Sequence, residues 1–293
     1  MSSGNGPILV PIDFSEQSFI ALSQSYNLAR LTNSPIRLLH VIDQDFFSSI
    51  TEGLLSQYNY GDTIKEDLQN RLDEIAVKIK QEQNIVAFTN LRTGKIYNEI
   101  IEESKDSSAS LIVMGTMGSS TLMKKFMGSN ASRVIREAEC PVITIKGTEH
   151  RKGCDNILLP LDLTKETKEK VSKVIELARL YKSHVHIVTI LESDDEFILK
   201  KLERQMEQVK EFVEGEDIPC SVAFSKSDNV AEGINEYAKQ LNADLVVIMT
   251  QQELNFSDLF LGPKAQEVIN LLDIPVLCIR PLKRKDLTEF VLS

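Results

Sequence analysis

The chain has 293 residues and a formal net charge of −10 at pH 7. The acidity is spread along it, with 14 basic and 18 acidic groups in residues 1–150 and 19 and 25 in the remainder, so neither half is the basic module that non-specific nucleic-acid binding requires. No apolar run has membrane-spanning length, and Met1–Gly6 lacks a signal-peptide pattern, so a soluble cytoplasmic protein is expected.

In chain order, short apolar runs predict strands near 7–13, 35–42, 85–91, 110–115 and 142–146. A helix is predicted near 63–82, with an apolar stripe at Ile64, Leu68, Leu72, Ile75 and Ile79 that reads as core packing. Strands alternating with helices indicate an α/β fold, and their near-continuous apolar character suits a parallel sheet covered on both faces. The fourth strand, Leu111-Ile112-Val113-Met114, runs into Gly115-Thr116-Met117-Gly118. Nine residues later Gly128-Ser129 opens a helical stretch, Asn130 to Glu139. Glycine lets backbone approach an anion closely, and the free N–H groups and dipole of a helix N-terminus favour negative charge. Ser129 supplies a hydroxyl where an N-cap is expected. The arrangement suits phosphate.

The chain then repeats itself. Ile8-Leu9-Val10-Pro11-Ile12-Asp13 returns as Ile157-Leu158-Leu159-Pro160-Leu161-Asp162, and Leu28-Ala29-Arg30-Leu31 as Leu177-Ala178-Arg179-Leu180, both at an offset of 149. Further on the offset becomes 134: Leu111–Met114 matches Leu245–Ile248, and Pro141-Val142-Ile143 matches Pro275-Val276-Leu277. The first half therefore holds 15 extra residues, placed within 44–62, where the second has only a short link near 192–195. The helical stripe also recurs, at Leu199, Leu202, Met206, Val209 and Val213. Two domains are expected, 1–147 and 153–282, followed by a tail over 283–293. Cys140, Cys154, Cys220 and Cys278 form no C-x-x-C pair and read as reduced thiols.

These elements together resemble the universal stress protein family in its tandem two-domain form. The match is carried by Ile8–Ser15, by the second strand's end Leu38-Leu39-His40-Val41-Ile42-Asp43, by the G-x2-G-x9-G-S motif from Gly115 to Ser129, and by Cys140-Pro141-Val142-Ile143. The resemblance implies two doubly wound domains of the adenine nucleotide alpha hydrolase-like, Rossmann-like kind, each an open five-stranded parallel sheet. It implies ATP, with magnesium, at the carboxyl ends of the strands, consistent with the general rule for such sheets. It also implies that the halves pack as an intramolecular pseudo-dimer, largely through their last strands, with a further homodimer left open. By the same resemblance, Pro11, Ile12 and Asp13 lie beside the nucleotide and the backbone around Val41 meets adenine. Met114, Gly115, Thr116 and Gly118 pass close to ribose and phosphates, and Gly128, Ser129, Asn130 and Ala131 offer N–H groups to the phosphate chain. Asn130 and Ala131 depart from the commoner residues there, an apolar one and a small hydroxyl one.

Read without the resemblance, Asp13 is also an ordinary turn or cap residue, Ser15 the N-cap of the first helix, and His40 a packed or hydrogen-bonded residue. Lys124 and Lys125 either screen phosphate charge or are simply solvated. The segment Asp45-Phe46-Phe47 to Tyr58-Asn59-Tyr60 is either a lid or packing against the second half. In the second copy Gly115 becomes Met249, Gly118 becomes Gln252, Gly128 is kept as Gly262 and Ser129 becomes Pro263, so that domain is expected to keep the fold and not the nucleotide.

Other chemistries fit less well. Gly94-Lys95 is followed by Ile96 and has Thr89 where a P-loop needs its first glycine, and the first strand's turn has no glycine for a dinucleotide. His40, His150, His184 and His186 provide no H-x-G-H pair, and no Ser-Gly-Gly loop or nucleophile–base set is present. His184 and His186 share one strand face, too few ligands to assign a metal. The expected function is an ATP-binding regulatory or stress-response module with one nucleotide site per chain and an unidentified protein partner. The alternatives are a nucleotide-independent interaction protein, binding a protein or lipid-like ligand, and a slow ATPase.

Overall fold

The computed structural model describes residues 6–51, 60–116, 127–147, 153–161, 167–191, 196–250 and 263–280. The chain divides into two compact units, with the boundary between Gly153 and Cys154. The first contains β1 (Ile8–Pro11), α1 (Glu16–Thr32), β2 (Ile36–Asp43), α2 (Gln44–Thr51) and α3 (Tyr60–Lys78), which runs into a π-helical turn at Ile79–Gln83. Then follow β3 (Ala87–Gly94), α4 (Ile96–Asp106), β4 (Leu111–Gly115), α5 (Ser129–Glu137) and β5 (Val142–Ile145). The second contains β6 (Asn156–Pro160), α6 (Thr167–Tyr181), β7 (His184–Leu191), α7 (Glu196–Glu214) and β8 (Cys220–Lys226). It closes with α8 (Val230–Leu241), β9 (Leu245–Met249), α9 (Pro263–Leu271) and β10 (Val276–Ile279).

Within the first unit the strand order is β3-β2-β1-β4-β5, and within the second β8-β7-β6-β9-β10, neighbouring strands within each unit being parallel. Each unit is thus a five-stranded doubly wound sheet, and the five strands predicted in the first half lie within three residues of their expected bounds. Parallel strands buried on both faces need apolar side chains throughout, and Ile8, Leu9 and Val10, like Ile157, Leu158 and Leu159, are fully buried. The helical stripes are core as expected at Leu72 and Ile79, and at Leu202, Met206 and Val213, while the remaining stripe positions are half-buried.

Local chemistry sets the helix ends. Ser15 caps α1, its hydroxyl accepting from the N–H of Ser18. Asn33 ends the same helix in the left-handed region at φ 51°, its N–H reaching back to the carbonyls of Ala29 and Arg30, and Asn242 closes α8 in the same way.

The geometry of each sheet opens a crevice. β1 pairs with β2 through Pro11, opposite Leu39, but with β4 only at Ile8 and Leu9. Beyond Leu9 the two strands part, because the chain crosses over in opposite directions from β1 and β4. β6 repeats this, pairing with β7 through Pro160 and with β9 only at Ile157 and Leu158. This is the topological switch point, where such sheets take ligands.

A buried ionic network ties α4 to the sheet in the first unit. The Glu103 carboxylate is fully buried and accepts from Nε of Arg37 on β2, and from Nε of Arg92 and the Asn90 amide on β3, the latter two at 2.6 Å. Arg92 also pairs with Glu99 and Asp106. Replacing Glu103 with leucine takes this acceptor from Arg37 and the Asn90 amide, while Arg92 keeps Glu99 and Asp106; the two guanidiniums are about a quarter exposed (29% and 23%). The expected loss lies near the low end of the range for a broken buried pair, about 3 kcal/mol, read as a lower urea midpoint at unchanged slope.

Candidate functional site

A cavity of about 260 Å³ occupies the crevice of the first unit. It is near the lower end of the range of about 300–1,000 Å³ usual for small-molecule sites. Pro11, Ile12, Asp13, Val41, Met114, Gly115, Thr116, Gly128, Ser129, Asn130 and Ala131 all line it. Of the residues singled out from the sequence, Gly118 lies outside the described residues, as do Lys124 and Lys125. Five further residues line the cavity: Ser18, Leu39, His40, Ile96 and Ile100. Ile96 and Ile100 come from α4 and give the β2 side an apolar wall. Their spacing of four residues signals only a shared helix face, which is why sequence did not separate them from core.

The opposite end of the cavity is polar backbone. Gly128, not Ser129, is the N-cap of α5: it has φ −63° and ψ 151°, and no side chain caps the helix. The expectation of a Ser129 hydroxyl at the cap is corrected accordingly, Ser129 being the first helical residue. The first intrahelical bond runs from the Ser132 N–H to the Gly128 carbonyl at 3.1 Å. The N–H groups of Ser129, Asn130 and Ala131 precede it and have no acceptor within the helix. They belong to three of the residues that line the cavity. The Gly128 N–H is used, donating to the Thr116 carbonyl at 2.8 Å, which ties the helix start to the end of β4.

The two glycines act differently from each other. At Gly115 a Cβ would come within 3.2 Å of Gln17 Cβ and 3.4 Å of the Gln17 backbone. Its smallness therefore serves the close approach of α1 to β4. Among the described residues a Cβ at Gly128 would meet only the Thr116 carbonyl oxygen, at 3.4 Å, and the negative φ suits any residue. Left-handed backbone is not what that position requires.

The turn after β1 forms the third side. Asp13 accepts from the N–H and hydroxyl of Ser15, an Asx turn that delivers Ser15 to its capping position. Phe14 is left-handed at φ 61°, uncommon for a bulky residue. Its ring lies against His40, with centroids 4.8 Å apart, and under the Arg71 guanidinium at 4.1 Å. His40 Nδ1 donates to the Ile12 carbonyl at 2.6 Å. Burial lowers the His40 pKa, so the ring is neutral at pH 7.

The second unit fills the same frame with different groups. The Thr250 N–H donates to the Ile279 carbonyl at 2.9 Å, as the Thr116 N–H does to that of Ile145 at 3.0 Å. Met249, buried, stands where Gly115 stands in the first. Proline at position 263 lacks one of the helix-start donors. Lys170, buried at the place of Ala21, donates its ammonium to the Pro160 carbonyl at 2.8 Å. Asp162, Gln252 and Gly262 lie outside the described residues.

His184 and His186 do share a face of β7, with rings stacked at 4.2 Å and 13°. His186 is committed elsewhere, its Nδ1 accepting from the Ser221 hydroxyl at 2.8 Å and its Nε2 donating to Asn156 at 3.1 Å, while among the described residues His184 Nε2 is buried without a hydrogen-bond partner. Among the described residues no group of three or more His, Cys, Asp and Glu is placed to hold a metal. The four cysteines carry free thiols, and burial pushes Cys140 and Cys220 up to about 11. Among the described residues no helix is long and apolar enough to cross a membrane.

With this geometry in hand, comparison with known proteins is informative. The universal stress protein family matches residues 4–146 and again residues 153–280. Two universal stress proteins of Methanocaldococcus jannaschii are 33% and 31% identical, each match covering 47% of this chain and 81% and 93% of the relative. A crystal structure of a universal stress protein from Archaeoglobus fulgidus is similar over 95% of this chain and 97% of that one, with a TM-score of 0.74 and 22% identity. A functionally unknown protein from Pseudomonas aeruginosa is similar over 94% and 93%, with a TM-score of 0.69 and 20% identity. At these identities the structures establish the fold.

The histidine pair gives an acid sensitivity. Burial first, and the His184 ring second, lower the His186 pKa to about 4, against 6.5 for an unperturbed histidine. The folded protein therefore binds fewer protons than the unfolded chain between these values. This contribution to stability is complete above pH 6.5 and is lost as pH falls toward about 4. Urea unfolding of the wild type should weaken from pH 7 to pH 5 more than that of His186→Gln, and parallel pH dependence in the two would refute this origin.

Proposed function

Because the chain belongs to the universal stress protein family, we propose that its first unit binds one adenine nucleotide, ATP in preference, as the regulatory element of a non-enzymatic module. The observation that carries this reading is the start of α5, where three N–H groups without intrahelical acceptors belong to residues lining a cavity at the sheet's switch point. The residues fit the group. Ile96, Ile100, Leu39 and the Val41 backbone offer an apolar slot for a flat base beside a strand edge with hydrogen-bonding capacity. Ser129, Asn130 and Ala131 offer donors to phosphate. Asp13 is the carboxylate lining the cavity, suited to a ribose hydroxyl or to magnesium brought in by the triphosphate.

Magnesium, when bound, screens the charge of the phosphates. The protein's own contribution is to orient the base, to supply N–H groups to the phosphates, and to keep the chain termini of β1 and β4 apart. The bound nucleotide then biases conformation or the choice of a protein partner.

One site per chain is expected. Met249, the proline at 263 and the Lys170 ammonium favour a second unit without nucleotide. Isothermal titration of the full chain with ATP and magnesium should give a stoichiometry of one, ADP should compete, and NAD should not. Two equivalent sites would overturn the asymmetry.

Gly128→Asp separates binding from folding. Aspartate is a better N-cap than glycine by a few tenths of a kcal/mol, and the backbone at this position is already in the extended region a cap adopts. The same carboxylate competes for the donors that phosphate needs and repels it. The melting temperature should hold or rise slightly while ATP affinity falls by about tenfold or more. Unchanged affinity in the folded variant would remove phosphate from the start of α5.

A further inference from the structure

Beyond the last ladder bond of β1 one carbonyl needs a partner, and the two units supply it with different side chains. In the first, the Ile12 N–H donates to the Leu39 carbonyl at 2.8 Å, and the Ile12 carbonyl accepts from His40 Nδ1 at 2.6 Å. In the second, the Leu161 N–H donates to the Val188 carbonyl at 2.8 Å, and the Leu161 carbonyl accepts from the Thr189 hydroxyl at 3.0 Å. All three pairs of positions stand at the offset of 149 that relates the repeats. The position therefore calls for a donor on the second strand, and threonine meets that call as well as histidine.

Histidine adds a ring. Phe14, two residues on from Ile12, holds a left-handed φ of 61° with its ring between His40 and the Arg71 guanidinium. Asp13 lies between these two fixed points. Its backbone is held at Ile12 on one side and Phe14 on the other, and its carboxylate is turned to the Ser15 N–H at 3.0 Å. Such left-handed non-glycine residues persist where their surroundings over-determine them, and they gather at ligand sites.

We propose that His40 is the positioning residue of the nucleotide site: by donating to the Ile12 carbonyl it fixes the turn that presents Asp13 to the cavity. The proposal rests on the reading of that cavity as a nucleotide site. It assigns His40 no contact with the reacting or bound groups through its ring nitrogens. Its action passes through Asp13, so the two residues must be energetically coupled.

The test is calorimetric titration of the full-length chain with ATP and magnesium, for wild type, His40→Thr, His40→Phe, Asp13→Ala and the double variant His40→Phe with Asp13→Ala, each checked by circular dichroism. His40→Thr keeps a donor for the carbonyl and should bind within about threefold of wild type, whereas His40→Phe keeps a ring without a donor and should bind about tenfold more weakly. Asp13→Ala should also weaken binding, and the double variant should be no weaker than Asp13→Ala alone, because residues acting as one unit are not additive.

Wild-type affinity in folded His40→Phe, multiplying losses in the double variant, or a folded His40→Thr as weak as the phenylalanine variant would each overturn the proposal. If His40→Phe does not fold, His40→Leu takes its place, and the threonine variant is decisive by itself. Failure of the wild type to bind ATP would instead remove the nucleotide reading. Wild-type binding that survives loss of the donor would remove only the role of His40.

Discussion

The parting of β1 from β4 after Leu9 is the constraint on which the first unit depends. A parallel sheet satisfies backbone groups by lateral pairing, and every group freed at a split must find another partner or a ligand. Val10 through Asp13 leave the ladder on one side only. The protein answers with a sequence of specific bonds: Ile12 to Leu39, the Ile12 carbonyl to His40, Asp13 to Ser15, and Ser15 to the first turn of α1. On the facing side the Thr116 carbonyl takes the Gly128 N–H and the Thr116 N–H takes the Ile145 carbonyl. The N–H groups of the first three residues of α5 have no acceptor within the helix, and in the proposed reading they serve an anionic ligand.

The second unit shows that the frame and the chemistry are separable. The backbone bonds at Leu161 and Thr250 reproduce those at Ile12 and Thr116, so the split itself is inherited by the fold. Its contents are not. A lysine on α6 reaches the carbonyl of Pro160, whereas the corresponding position on α1 is a buried alanine with no polar atom to offer. The ammonium satisfies that carbonyl from within the unit, and its buried methylenes fill space as well. The same substitution pattern runs through the polar core: Arg37 and Glu103 in one unit stand where His186 and Tyr237 stand in the other.

Most of the fold was legible from sequence, and the reasons are physical. Strands buried on both faces must be apolar at nearly every position, so β1, β2 and β4 could be read to within a few residues. The repeat pointed to two domains, and the family resemblance pointed to twelve residues, of which the eleven that are described line one cavity. What escaped depends on tertiary placement. Ile96 and Ile100 look like any amphipathic helix face until α4 is laid over the crevice. His40 reads as packed or hydrogen-bonded, but its partner, the Ile12 carbonyl, is set by the fold. The N-cap of α5 was set one residue late because serine outranks glycine as a cap by propensity, while the structure leaves the cap to backbone alone.

That last difference bears on how the site works. A serine or aspartate cap satisfies one of the helix's orphan donors internally, which stabilises the helix and removes a donor from any ligand. Glycine at the cap contributes neither a capping oxygen nor bulk, and here its conformation, φ −63° and ψ 151°, would have allowed either. Among the described residues its Cβ position has one neighbour, at 3.4 Å, and neither strain nor crowding from them accounts for glycine at position 128. At Gly115 crowding does account for it, through Gln17 at 3.2 Å. The two glycines of one motif thus differ: Gly115 serves the packing of α1, while glycine at 128 leaves the start of α5 to backbone donors alone, which suits the proposed phosphate contact.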